Sequence, residues 1–143
     1  MSPFFGREKV EAVLFSALEG QLTLQGKPAT GAKINLWIKW KNEEGEHFSF
    51  TADENGFFHI PQKVATYKEN ALAQIVITQE ITVEYGNESY LIWTLSKTSI
   101  HQFGELGGKA SKLTCELTND LEATRTDDIL MGTSCSWDSI SKQ

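Results

Sequence analysis

A two-residue alternation of apolar and polar side chains is the feature that most limits what this chain can become. From Ala32 to Trp40, Ile34, Leu36, Ile38 and Trp40 fall on one face and Asn35, Trp37 and Lys39 on the other. Successive side chains of a strand leave on opposite faces, so this period predicts a half-buried β-strand. It returns in residues 47–52 through Phe48 and Phe50, and in Leu72 to Tyr85 through Ile81, Val83 and Tyr85. Residues 12–25 read as a first strand, ended by the turn signal Gly26-Lys27-Pro28, and the polar run Asn42 to Glu46 turns the second strand back on itself. Asp53-Glu54-Asn55-Gly56 leads into a short strand that Pro61 closes. Tyr85-Gly86-Asn87-Glu88 suits the primed turn that matches strand twist. Tyr90 to Leu95 carries apolar residues on both faces, as a strand covered on both sides does. Leu113 to Leu117 and Ile129 to Trp137 complete the set, while residues 62–71 carry no strong period and fit either a loop or a single helical turn.

Short strands separated by turns, without a long amphipathic helix, predict an all-β sandwich of about seven to nine strands in one domain over residues 1–143. Its core should draw on Leu22, Ile34, Leu36, Ile38, Phe48, Phe50, Phe58, Ile81, Val83, Leu91 and Trp93. A chain of 143 residues buries about two thirds of its unfolded surface, enough for a core without staples. Its 40% hydrophobic and 22% charged residues are globular proportions. The net charge of -6, with 13 scattered Lys and Arg, argues against a nucleic-acid partner, which would require a clustered basic face.

No apolar run approaches the roughly 18 residues of a spanning helix, so no membrane partner is expected. Ala12 to Leu18 is short for a signal core, follows Glu8 and Glu11, and precedes no small-residue cleavage pattern, so it reads as a strand. The expected compartment is therefore the cytoplasm, where Cys115 and Cys135, both facing inward by alternation, should be buried free thiols. No nucleophile elbow of the form G-x-S-x-G occurs, and Asp53-Glu54-Asn55-Gly56 lacks the alternating oxygen ligands of a calcium loop. His47 and His59 flank the hairpin and could approach each other, but with His101 and the two cysteines they form no paired zinc spacing. Gly104 to Lys109 lacks the Gly-Lys-Ser/Thr ending of a phosphate loop. The chain is expected to be neither an enzyme nor a cofactor or metal carrier.

The elements Gly20-Gln21-Leu22, Gly26-Lys27-Pro28-Ala29-Thr30-Gly31-Ala32 and Thr51-Ala52-Asp53-Glu54-Asn55-Gly56-Phe57-Phe58 resemble the carboxypeptidase-regulatory or transthyretin-like superfamily. The third departs from the family pattern by the insertion of Ala52. The resemblance implies a Greek-key β-sandwich and says nothing about activity. The superfamily's hydroxyisourate hydrolase would require a C-terminal Tyr-Arg-Gly-Ser, whereas this chain ends SWDSISKQ. The remainder, with GELGGKASKLTCEL, looks like a family of small Gram-negative bacterial proteins of this fold, and that likeness implies a link to type VI secretion loci.

Two roles follow as expectations. The first is a non-enzymatic protein-interaction module, an accessory or immunity protein whose partner is a secreted effector or secretion component, with a basic partner steered by the charge of -6. The connection of residues 96–109 is long for a loop, and its Ile100, Phe103 and Leu106 beside Glu105 mix apolar anchors with charge as interface cores and rims do. The same three apolar residues could instead fold back as a lid over the sandwich end. The alternative role is a carbohydrate-binding module, because alternation puts Trp37 opposite the core face, where an indole can stack on a sugar ring.

Overall fold

The computed structural model describes residues 9–68 and 75–142. Its strands are β1 (Lys9–Phe15), β2 (Leu18–Leu24), β3 (Lys27–Pro28), β4 (Lys33–Lys39), β5 (Glu46–Thr51), β6 (Phe57–Ile60), β7 (Lys63–Lys68) and β8 (Ile77–Tyr85). They continue with β9 (Glu88–Lys97), β10 (Lys109–Ser111), β11 (Thr114–Glu116), β12 (Glu122–Arg125), β13 (Ile129–Thr133), β14 (Cys135–Ser136) and β15 (Ser139–Ser141). The fold is an all-β, sandwich-like arrangement, cut into more and shorter strands than the sequence predicts. One sheet is antiparallel in the order β12-β13-β9-β8-β4-β5. The second runs β14-β11-β2-β3, with β6 also on β2, and joins β11 to β2 in parallel. Two small ladders, β1-β7 and β10-β15, flank them.

Alternation is realised most fully in β4, where Ile34, Leu36 and Ile38 are buried and Asn35, Trp37 and Lys39 are not. With Ile81, Val83, Trp93 and Leu95 they meet Leu22, Phe58 and Ile60 of the second sheet, and Leu113 just before β11, in one core. Phe48 and Phe50 depart from the expectation and stay half-buried, because β5 is an edge strand whose rings are covered by the Lys63 ammonium, 4.3 and 5.7 Å away. Leu91 is 41% exposed instead of buried. A bulge between Ile81 and Thr82 pairs these with Trp93 and Leu91, so Ile92 is the extra residue, and it packs inside next to Trp93.

The expected first strand over residues 12–25 is two strands in different ladders. The chain bends at Ser16, whose backbone N–H goes to a side chain and not to a ladder. Residues 63–68 of the undecided stretch form β7; residues 69–71, and the expected strand start at residues 72–74, lie outside the described residues. His47 and His59 lie in different sheets, so the hairpin does not bring them together as a pair. Cys115 and Cys135 correct the free-thiol expectation: they are buried, stand directly opposite each other on β11 and β14, and form a disulfide with Cα atoms 3.9 Å apart. Alternation showed that both point inward but carries no information on which strands are neighbours.

Candidate functional site

β9 runs on to Lys97 and β10 starts at Lys109, so the long connection shortens to residues 98–108. It closes over one end of the sandwich. The Ile100 carbonyl accepts the Val13 N–H at 2.9 Å, and Ile100 and Leu106 pack against the core as half-buried residues. Phe103, also half-buried, takes φ +58° and donates its N–H to Ser16 Oγ at 2.7 Å. Glu105 corrects the expectation of a charged rim: it is 6% exposed and points into the protein.

Its carboxylate is the centre of a buried network. Oε2 accepts the Ser16 N–H at 3.0 Å, the Gln79 amide at 2.9 Å and the Lys97 ammonium at 2.9 Å, while Oε1 accepts the Ser16 hydroxyl at 2.7 Å. Gln79 also donates to the Leu14 carbonyl and accepts the indole N–H of Trp93. Burial pushes the Glu105 carboxyl up, but the Lys97 charge and the bonds from Ser16 and Gln79 outweigh it and hold the group below its ordinary range.

This arrangement binds the connection down to the core. Ser16 Oγ donates to Glu105 and accepts the Phe103 N–H, so the hydroxyl bridges the carboxylate and the backbone of the connection. Sequence reasoning missed Gln79 and Lys97. The signal was present: they continue the inward rows Ile77-x-Gln79-x-Ile81 and Trp93-x-Leu95-x-Lys97, where a polar residue is buried only with a partner.

Trp37 lies on the outer face of the six-stranded sheet, half-buried, opposite His47 of β5 and Glu80 of β8. Its indole N–H donates to the Glu44 carbonyl at 2.9 Å. Gly45, at φ +68°, sits so close that a Cβ there would run into the indole nitrogen. The β4–β5 turn thus backs the ring, and a recess of about 320 Å³ opens in front of it between Asn35, His47, Glu80 and Thr82.

The other end of this sheet face is apolar. Leu130 and Val76, each 50% exposed, line one depression with Arg125, Asp127 and Asp128. Leu121, 38% exposed, packs over Gly132 on the same face. The patch adjoins β12, which has no strand on its far side among the described residues. Thr126 N–H donates to the Ile129 carbonyl, and bonded pairs alternate along an antiparallel ladder, so Thr124 and Glu122 bond to β13. The N–H and C=O of Ala123 and Arg125 therefore point to the open edge.

Among the described residues no group of three or more His, Cys, Asp or Glu is placed to hold a metal, and no helix is long and apolar enough to cross a membrane. The family model described as "Domain of unknown function (DUF6795)" matches residues 18–120. That span holds Trp37, Gln79, Lys97 and Glu105 but neither Ser16 nor Cys135. No curated protein and no solved structure matches the chain.

Proposed function

The chain belongs to the DUF6795 family, and on that premise we propose that it is a non-enzymatic protein-interaction module that takes an extended segment of its partner as an added strand along β12. The open edge of β12 beside the exposed Leu121, Leu130 and Val76 carries this reading. An added strand gains main-chain hydrogen bonds from Ala123 and Arg125, and its alternate apolar side chains cover the patch. Arg125, Asp127 and Asp128 form the charged rim. The 98–108 connection, tied to the core through Glu105, serves as the lid and not as the docking loop. A basic partner is favoured by the net charge of -6.

The resemblance to transthyretin-like proteins and to type VI secretion accessory or immunity proteins belongs to the same reading. Support for the fold kinship comes from the turn motifs, where Gly31 and Gly56 take φ of +69° and +79° and Asp53 caps the second turn through the Asn55 and Phe57 N–H groups. The disulfide favours an oxidising compartment over the cytoplasm expected from the sequence. The test offers the chain an extended peptide of alternating apolar and basic residues as the added strand. Ala123→Pro removes an edge donor that β13 does not use, and Leu130→Ser removes the apolar anchor. Both are expected to weaken the complex at least about tenfold, a loss of about 1.4 kcal/mol, with the melting temperature nearly unchanged. Complexes unaffected by either variant would remove β12 as the docking edge. A dimer in sedimentation that Ala123→Pro dissolves would put a second copy of the chain there instead.

A further inference from the structure

The recess before Trp37 is chemically unlike the β12 patch and is independent of it. Its wall is an indole held edge-on by the Glu44 carbonyl and backed by Gly45, so it needs no ordering when a ligand arrives. Around it stand an imidazole, a carboxylate, an amide and a hydroxyl, from His47, Glu80, Asn35 and Thr82. Asn35 is fixed by donating to Glu84 at 2.8 Å and accepting from Ser49 at 3.3 Å. The polar groups of His47, Glu80 and Thr82 carry no hydrogen bond within the described residues. An aromatic wall with converging, unspent donors and acceptors matches a pyranose ring, which offers an apolar C–H face and an equatorial fringe of hydroxyls. The Lys39 ammonium, 5.9 Å over the indole centroid, is paired with Glu43 at 3.2 Å, so the Glu80 carboxylate borders a recess with no Lys or Arg among its lining residues, which disfavours an anionic sugar.

We infer that the outer face of the six-stranded sheet carries a binding site for a neutral glycan, with the sugar ring stacked on Trp37 and its hydroxyls held by His47, Glu80 and Thr82. The test follows the indole N–H resonance of Trp37 by NMR while cellohexaose, maltohexaose or chitohexaose is titrated to about 10 mM, a range that captures weak sites. At least one sugar is expected to shift that resonance and leave the indole signal of Trp93 in place. Trp37→Ala is expected to weaken binding of that sugar at least tenfold. His47→Ala with Glu80→Ala, which leave the indole and its turn intact, should do the same and serve if Trp37→Ala does not fold. Ala123→Pro is expected to bind sugar like the parent chain, so the two surfaces fail or hold separately. A Trp37 resonance unmoved by all three sugars, or affinity unchanged in the His47 and Glu80 double variant, would overturn the inference.

Discussion

At the scale of single residues, two carboxylates hold distant parts of the chain in opposite settings. Glu105 is buried and satisfied by Lys97, Gln79 and Ser16, so removing its cation leaves an uncompensated charge inside. Lys97→Met is expected to cost about 3–5 kcal/mol in denaturant unfolding, more than a surface ion pair ever contributes. Glu116 lies near the surface and accepts the N–H groups of Gln25, Gly26 and Thr118 and the hydroxyls of Thr23 and Thr118. Some burial raises its pKa, but these bonds favour the charged form more strongly and lower it from 4.5 to about 2. A depressed folded-state pKa contributes stability above the unfolded value and loses it as pH falls through the folded one. The stability gap between the parent and Glu116→Gln should therefore be full near neutrality and close as pH drops from 4.5 toward about 2, as read from urea midpoints. Neither role was legible: each carboxylate meets partners roughly ninety positions away, and an isolated acidic residue in a sequence names no partner.

At the scale of elements, the division between what the sequence specifies and what it leaves open follows distance along the chain. Hairpins joined by their own turns, β4 to β5 and β8 to β9, were readable from period and turn chemistry, because both partners are local. The pairings β1 with β7 and β2 with β11 were not, since no local signal says which strand edge a remote segment will meet. The β8–β9 bulge shows the limit within one hairpin. A one-residue slip reverses facing, so Leu91 left the expected core while Leu36 stayed in it. Leu36→Ala is expected to cost about 2–5 kcal/mol and Leu91→Ala about 0.5 kcal/mol or less, and a reversal of that order in denaturant titrations would refute the bulge. The two candidate surfaces divide in the same way. Trp37 was visible from alternation alone, whereas the β12 patch depends on a sheet order that only the folded chain reveals.

At the scale of the whole molecule, the disulfide joins the last strand of the second sheet to its interior. Closing a loop of 20 residues restricts the unfolded chain by about 3 kcal/mol in the chain-entropy account. Protein prepared without reductant should show no reactive thiol even when unfolded, and reduction should lower its melting temperature; two free thiols under those conditions would restore the sequence expectation. The parallel pair β2–β11 has a consequence in time. Thr114 to Glu116 lie on Gln21 to Thr23, so the second sheet cannot close until β11, roughly ninety residues after β2, has left the ribosome. Loop-closure entropy falls due before such remote contacts reward it, which makes high-contact-order folding slow. During synthesis the early hairpins form while β2 waits with one edge unpaired, and the nascent chain is most prone to aggregation in that interval.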